Sequence, residues 1–313
     1  MQRAYLGGAE VSRIILGCGN FGGIGSAPAF FGQGESREQA FALMDAAWDA
    51  GITTFDTADA YGGGRSETYV GAWIASRKPD GLVVTTKTFN PMGEGADHGL
   101  APARIRRQLE SSLDRLGLER VDLYLCHDWD PDVPIAETAG ALDELVAAGT
   151  IGAYGLSNVD GPQLGEAIGA GDFRWVQNSY SMLDRTAERE VLPLCREHGL
   201  GFTPFGPLAG GWLTGKYRRD APVPAGSRMT LRPEPYAHLR NDAVYELLEG
   251  LEQLGDPATL AFAWLFAQPG VSAVIAGPRR PEQLRPAFDA LEWADERSLQ
   301  TTKNLVCKLG LPE

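Results

Sequence analysis

Short runs of β-branched and other apolar residues alternate along the chain with longer stretches in which apolar positions recur every three or four residues. The first pattern is typical of buried strands and the second of amphipathic helices. The strands predicted in this way cover residues 14–17, 53–56, 83–87, 121–126, 153–156, 175–177, 201–203 and 271–275. The helices predicted between them cover residues 36–50, 67–76, 103–116, 142–148 and 188–197, and a further helix is expected after the last strand.

Eight strands with intervening helices in 313 residues are typical of a (β/α)8 TIM barrel, an α/β fold in which parallel strands close into a ring. An open, doubly wound sheet is the alternative. The glycine-rich stretch 17–25, however, leads into a loop and not into the helix that a dinucleotide-binding fingerprint requires. Without a linker or internal repeat, we expect one domain over residues 1–313. Residues 216–236, rich in proline and arginine, predict a long loop that covers or binds a ligand at the C-terminal face.

The net charge of the chain disfavours partners that are themselves negatively charged. The chain has 41 acidic and 28 basic residues and a formal net charge of −13, which disfavours nucleic acid and anionic membrane surfaces. No apolar stretch has the length of a signal peptide or a membrane span, so we expect a cytoplasmic protein that acts on a small molecule. The four cysteines lack the spacing of a zinc site or a disulfide framework. The helical faces indicate no subunit interface, so no oligomeric state is predicted.

Four polar side chains follow predicted strands closely. Asp56 and Tyr61 come at or after the second strand, Lys87 at the end of the third and His127 after the fourth. The C-terminal ends of all strands meet on one face of a barrel, so we expect these four side chains to converge. Together they suit the reduction of a carbonyl group, in which an acid must protonate the oxygen while a hydride reaches the carbon.

Tyrosine is a weak acid, with an ordinary pKa of about 10. A lysine ammonium about 4 Å away would lower the pKa of a tyrosine by about 3 at an effective dielectric constant of about 20. We therefore expect Lys87 to lower the pKa of Tyr61. Asp56 would keep the buried lysine protonated, and His127 would orient the carbonyl oxygen by a hydrogen bond.

Each of these residues also has an ordinary structural interpretation. Asp56 and its neighbours could cap a helix, the run that begins at Tyr61 could be a simple loop, and Lys87 could extend to solvent. His127 with Asp128 and Asp130 could instead bind zinc or manganese and serve a metal-dependent hydrolase or isomerase. None of the other three histidines falls at a predicted strand end, which disfavours the metal site.

Four strings together resemble the aldo-keto reductase superfamily over residues 5–290: FDTADAYG at 55–62, TK at 86–87, DLYLCH at 122–127 and GLSN at 155–158. The resemblance implies a catalytic tetrad of Asp56, Tyr61, Lys87 and His127. In that tetrad the tyrosine is the general acid in reduction and the general base in oxidation.

The resemblance also implies a site for a nicotinamide coenzyme without a Rossmann fold. Ser157, Asn158 and Gln177 would bind the carboxamide, Phe205 would stack on the nicotinamide ring, and arginine near the C-terminus would bind the 2′-phosphate. NADPH or NADP+ is therefore the expected coenzyme, with NADH possible. The full set of coenzyme-binding residues implied is Gly19, Asn20, Phe21, Ser157, Asn158, Gln177, Phe205, Gly206, Leu208, Gly210, Lys216, Arg228, Gly277, Arg279 and Gln283.

Departures from the family pattern concern the coenzyme and substrate pockets. Phe205 stands where many members carry Tyr or Trp, and Pro286 and Ala287 stand where an acidic residue and Asn commonly face the adenine. The glycine-rich loop 21–34 and Trp129 are expected to shape the substrate pocket.

The sequence thus predicts an NADPH-dependent reductase of aldehydes or ketones, or the reverse oxidation of alcohols. A nicotinamide-binding regulatory or interaction protein with slow turnover is the alternative.

Overall fold

A closed ring of eight parallel strands forms the centre of the molecule in the computed structural model, which describes residues 1–309. A hairpin of β1 (Arg3–Leu6) and β2 (Ala9–Ser12) precedes the ring. The ring strands are β3 (Ile14–Gly17), β4 (Thr54–Asp56), β5 (Val83–Thr88), β6 (Val121–Cys126), β7 (Ile151–Ser157), β8 (Trp175–Gln177), β9 (Gly201–Phe202) and β10 (Val274–Ala276). Each pairs with its neighbours in chain order, and β10 pairs with β3. The predicted TIM barrel is confirmed.

Backbone hydrogen bonds from β10 and the segment before it to β9 and the segment after it close the ring. The Ser272 N–H donates to the Phe202 carbonyl at 2.8 Å, and the Ile275 N–H donates to the Pro204 carbonyl at 3.0 Å. The open-sheet alternative is therefore wrong. The last strand begins at Val274, three residues later than predicted, because residues 271–273 contribute only a single bridge to β9.

The helices surround the ring. They are α1 (Arg37–Asp49), α2 (Arg65–Arg77), α3 (Pro102–Leu116), α4 (Ile135–Ala147), α5 (Gly161–Ala170), α6 (Val191–Glu197), α7 (Arg228–Leu231), α8 (Asp242–Leu254), α9 (Pro257–Phe266), α10 (Arg285–Leu291) and α11 (Glu296–Lys308). The predicted loop 216–236 contains the single turn α7 and the start of a 3₁₀ turn. The prediction missed the N-terminal hairpin and both α8 and α9.

Apolar residues fill the ring and leave only one end for chemistry. Inside the barrel, Leu125, Trp175 and Ile275 pack together, and Leu6 and Val11 of the hairpin join them from the N-terminal end. A second core lies between the strands and the outer helices. Since the hairpin fills the N-terminal end, polar side chains gather at the C-terminal ends of the strands. In residues 1–309, no helix is long and apolar enough to cross a bilayer.

Candidate active site

The four predicted catalytic residues lie together at the C-terminal end of the barrel. Lys87 Nζ donates to Asp56 Oδ1 at 2.5 Å, to the Thr57 carbonyl at 2.8 Å and to the Tyr61 hydroxyl at 3.3 Å. The Tyr61 hydroxyl lies 3.4 Å from Nε2 of His127. Lys87 is fully buried, and Asp56 is 3% exposed. The phenol is therefore the point at which the buried ion pair and the imidazole meet.

The turn after β4 brings Tyr61 over the lysine. The Asp59 N–H donates to the Lys87 carbonyl at 3.0 Å, which extends the pairing of β4 with β5 by one step. Tyr61 then begins a 3₁₀ turn in which Gly62 has a φ of 60°. A Cβ atom on Gly62 would lie 2.8 Å from the Phe21 carbonyl oxygen, so a side chain would displace the turn. The glycines after Tyr61 are thus needed to turn the chain beneath the loop that follows β3.

The charges around Lys87 keep it protonated. Burial would lower the pKa of Lys87, but the Asp56 carboxylate and the Tyr61 hydroxyl raise it above its usual value. The expectation that Tyr61 would have a lowered pKa is wrong for the protein without coenzyme. Burial of the phenol raises the pKa of Tyr61, Lys87 opposes this, and Asp56 adds to it. Tyr61 therefore holds its proton at neutral pH, which is the state that a general acid needs.

His127 is neutral for two reasons. Burial lowers the pKa of the imidazole well below its usual value, and the charge of Lys87 lowers it further. Nε2 faces the tyrosine hydroxyl, whereas Nδ1 is buried with no hydrogen-bond partner. The backbone of His127 is held by Asn158, whose amide donates to the His127 carbonyl at 2.8 Å. The imidazole can therefore act as a hydrogen-bonding group without carrying a charge.

A second polar layer supports the turn from outside the ring. Asp59 is completely buried; one of its oxygens accepts a hydrogen bond from Thr88 at 2.7 Å, and the other has no partner. Arg104 donates to the same threonine hydroxyl at 2.9 Å. Burial and the nearby Glu67 raise the pKa of Asp59 to about 7. The turn that holds Tyr61 therefore depends on a carboxyl group that is costly to ionise.

Three side chains with amide or hydroxyl groups stand beside the tetrad. Gln177 Nε2 donates to Asp56 Oδ2 at 2.9 Å, and Ser157 Oγ donates to the Gln177 carbonyl at 2.7 Å. The backbone of Asn158 has a φ of 59°, and its side-chain amide donates to the His127 carbonyl. The cap of α5 is Asp160, so Ser157 and Asn158 do not serve as that helix cap. Their donors and acceptors fit a carboxamide, as a nicotinamide ring would require.

The loops after β3 and β9 flank the same opening. Gly19 lies against the tyrosine, since a Cβ atom on Gly19 would contact the Tyr61 ring at 3.5 Å. Phe21 is completely buried, backbone included, so the structure does not present this predicted coenzyme-binding residue to the opening. Phe205 is half-buried and packs on the apolar filling of the barrel. After it, the loop is bent by glycines with positive φ at two of the predicted coenzyme-binding positions, Gly206 and Gly210, with the half-buried Leu208 between them.

Three basic side chains that were predicted to bind phosphate follow β9 and β10 in the chain, and they are called the rim from here on: Lys216, Arg228 and Arg279. Arg228 donates to the Asn20 side chain at 3.2 Å, and Arg279 donates to Glu35 at 2.6 Å. Lys216 is exposed, and its ammonium lies beside Gly211. Gly277 and Gln283 are exposed too, and the amide oxygen of Gln283 accepts hydrogen bonds from the backbone N–H groups of Arg279 and Arg280. Arginines in this region could hold phosphate groups.

Not every basic residue of the long loop faces this opening. Arg218 pairs with Glu252 at 2.9 Å, and Arg219 pairs with Asp242, both on α8. These pairs anchor the loop to a helix. Sequence alone did not separate these two arginines from the residues of the loop that were predicted to bind phosphate.

Two residues at the site were missed by the sequence analysis. Asn178, which directly follows Gln177, exchanges hydrogen bonds with the backbone of Val159 and so ties two strand-end loops together. Its position at a strand end was the signal that could have found it. Glu35 binds Arg279 across 244 residues of sequence, and no local pattern indicates that contact.

The predicted alternative of a metal site is not supported by the geometry of its own residues. Asp130 uses one oxygen to accept the Leu100 N–H at 2.6 Å and the other to accept the Asp132 N–H at 3.0 Å. Asp128 accepts the N–H of Trp129. Within the described residues 1–309, no three His, Cys, Asp or Glu side chains are grouped to hold a metal ion.

Comparisons with known proteins agree with this geometry. A family model described as "Aldo/keto reductase family" matches residues 13–299. An uncharacterized oxidoreductase of Bacillus subtilis (strain 168) is 36% identical, with 96% of this chain and 94% of the relative covered. NADH-specific methylglyoxal reductase of Escherichia coli (strain K12) is 32% identical, with 93% and 94% covered. The solved structure of a glycerol dehydrogenase from Gluconobacter oxydans is 27% identical and superposes with a TM-score of 0.84 over 99% of this chain and 97% of that one.

Proposed function

Since the chain belongs to the aldo/keto reductase family and is an oxidoreductase of that family, we propose that it reduces aldehyde or ketone groups with NADPH, with Tyr61 as the general acid. One observation carries the proposal: the Tyr61 hydroxyl lies within 3.3 Å of the Lys87 ammonium and 3.4 Å of the His127 imidazole. That combination is suited to moving a proton to an oxygen at the open end of the barrel.

Each side chain has a separate task in this reaction. A bound nicotinamide coenzyme supplies the hydride. His127 is neutral, and its Nε2 lies toward the Tyr61 hydroxyl. Nε2 donates a hydrogen bond to the carbonyl oxygen of the substrate and so brings that oxygen to the phenol. Tyr61 then gives its proton to that oxygen, and Lys87 stabilises the phenolate that remains through its direct hydrogen bond. Asp56 keeps Lys87 charged throughout.

The coenzyme site combines an amide-binding part and a phosphate-binding part. Ser157, Asn158 and Gln177 bind the carboxamide and thereby fix which face of the ring is turned toward the tyrosine. Arg279 binds the 2′-phosphate, since a guanidinium can donate two parallel hydrogen bonds to it. The E. coli relative is named as NADH-specific, so the preference of this chain for NADPH is the part of the proposal that most needs measurement.

The nature of the substrate is proposed only as a class. Methylglyoxal and glycerol, named for a relative and for a structural neighbour, are both small polar molecules with a carbonyl or hydroxyl group. Trp129, which is half-buried, and the loop 21–34, in which Gly23 pairs with Phe31, follow β6 and β3 at the C-terminal end of the barrel. A small carbonyl compound is suited to the polar floor at this end.

The test is to titrate the protein with NADPH, follow the change in fluorescence, and then screen small aldehydes and ketones for loss of nicotinamide absorbance. Tyr61→Phe is expected to lower the rate of reduction by a factor of about 100 to 10,000, because it removes only the proton donor, while NADPH affinity stays within about twofold. Wild-type turnover in this variant would overturn the assignment of Tyr61. Coenzyme binding with no turnover of any carbonyl would instead favour a nicotinamide-binding regulatory protein.

A further inference from the structure

A buried carboxylate is attached to the arginine that we assign to the coenzyme phosphate. Glu35 is 3% exposed, and its Oε1 accepts a hydrogen bond from Arg279 Nε at 2.6 Å. The arginine side chain, in contrast, is 48% exposed. Its remaining contact is a 3.4 Å hydrogen bond from Nη1 to the Gly226 carbonyl. The guanidinium thus turns one edge toward a negative charge and leaves the other accessible.

Backbone contacts hold Glu35 in place. Its N–H donates to the Asn20 carbonyl at 2.8 Å, and its carbonyl accepts the Gly22 N–H at 2.9 Å. Phe21 and Glu35 form a bridge between the two ends of the loop that follows β3. The carboxylate is therefore a fixed part of the rim and cannot turn away when an anion reaches Arg279.

The second oxygen of Glu35 lacks a partner. Oε2 is buried without a hydrogen bond. Burial raises the pKa of Glu35, and its contact with Arg279 opposes this. An ionised carboxylate has only acceptor sites, so Glu35 can pair with the guanidinium but offers no hydrogen bond to an ionised phosphate beside it.

We propose that Glu35 is a specificity residue that weakens the preference for a 2′-phosphate, so that NADPH binds no more than about tenfold more tightly than NADH. The argument rests on the proposed function, in which Arg279 meets the 2′ position of the adenosine ribose. A phosphate there gains the guanidinium but is repelled by the carboxylate beside it, whereas the 2′-hydroxyl of NADH carries no charge and is not repelled. Glu35 thus offsets part of the advantage that Arg279 gives to NADPH.

Glu35→Gln isolates the charge, because glutamine retains an oxygen that can accept the Arg279 hydrogen bond. Dissociation constants for NADPH and NADH would be measured by fluorescence titration, and those for 2′,5′-ADP and 5′-ADP by calorimetry, so that the result does not depend on turnover. We expect the ratio of the NADH to the NADPH dissociation constant to rise roughly tenfold in the variant. Glu38→Gln is the matched control, since Glu38 is exposed, has the same charge and lies three residues away. Its ratio should remain that of the wild type.

The possible outcomes separate this inference from the proposed function. An unchanged ratio in Glu35→Gln would overturn it, and so would a lower ratio, which would mean that Glu35 orients Arg279 for phosphate. If the variant does not fold, the wild type still decides: a preference for NADPH below about tenfold supports the inference, and a larger preference overturns it. A wild-type protein that binds neither coenzyme would refute the proposed function itself.

Discussion

The floor of the site, made of Asp56, Tyr61, Lys87 and His127, differs from the basic rim in how its charges are held. Lys87 is fully buried and makes all its hydrogen bonds to groups from one neighbouring strand and the turn after it. Arg279 is half exposed and pairs across two loops that are far apart in sequence. In the floor pair both partners are therefore buried, whereas in the rim pair only the carboxylate is buried and the guanidinium is in contact with solvent.

This difference separates two properties of the enzyme. Strand register fixes the floor: Asp56 is paired with Thr85, two residues before Lys87. Substitutions there should change both stability and the chemical step. The rim depends on loops, so substitutions there should change coenzyme affinity and leave the chemical step intact. Coenzyme choice can thus vary without disturbance of the tetrad.

The largest effect is expected at the floor, from Lys87→Met. The rate of reduction should fall about a thousandfold, because the phenolate loses its stabilising cation. The free energy of unfolding should fall by about 3–5 kcal/mol, because the Asp56 carboxylate is left buried without its ion-pair partner. Turnover with the best carbonyl substrate and urea denaturation measure the two quantities.

A double variant separates the two losses. Adding Asp56→Asn to Lys87→Met removes the unpaired charge, so most of the lost stability should return while the activity does not. If the single variant were as stable as the wild type, the buried pair would have no stabilising role. If it retained wild-type turnover, the role of Lys87 in catalysis would be wrong.

The floor could be predicted from the sequence for a simple reason. The C-terminal ends of parallel strands meet on one face, so Asp56, Lys87 and His127 were expected to be neighbours once the strands were identified. The acidity of Tyr61 was not predictable in the same way. Its pKa depends on how completely the phenol is buried, and a sequence pattern shows which charges are near but not how much water is excluded.

The contacts of the rim and two of the outer helices were not predicted from the sequence. The Glu35–Arg279 contact joins two loops, where no periodicity indicates neighbours. Helix α9 was missed because nine of its ten residues are buried, which removes the alternation of apolar and polar faces that identifies a helix. Helix α8 does have this spacing, at Val244, Leu247, Leu248 and Leu251, so it was predictable from the sequence.

A second prediction concerns the layer that supports the floor. The pKa of Asp59 is about 7 in the folded protein and about 3.9 for an ordinary aspartate. Between these values the folded state retains a proton that the unfolded state has lost, so the stability from this group is present below pH 4 and lost as the pH rises to 7. The Asp59→Asn variant has no ionisable group at this position, so it should not lose stability in this way as the pH rises. The unfolding free energy of the variant relative to the wild type should therefore increase by up to about 4 kcal/mol over this range.

Urea denaturation of both proteins at several pH values between 4 and 8 measures this difference. Asp80→Asn provides the control, since it removes the same charge at an exposed position. If the difference in unfolding free energy between Asp59→Asn and the wild type did not vary with pH, Asp59 would be ionised in the folded protein.

The smallest effects are expected at the rim, where two arginines of equal charge should behave differently. Arg279→Ala should weaken NADPH binding by about 10- to 100-fold, the value of a charge-assisted hydrogen bond to phosphate, and NADH binding by less than about twofold. Arg219→Ala removes a partner of Asp242 on α8, so it should lower stability by less than about 1 kcal/mol and leave both affinities unchanged. Fluorescence titration of each variant with both coenzymes gives the values. Equal losses of NADPH and NADH affinity in Arg279→Ala would exclude a role at the 2′-phosphate, and a loss in Arg219→Ala would mean that general positive charge, not a defined contact, attracts the coenzyme.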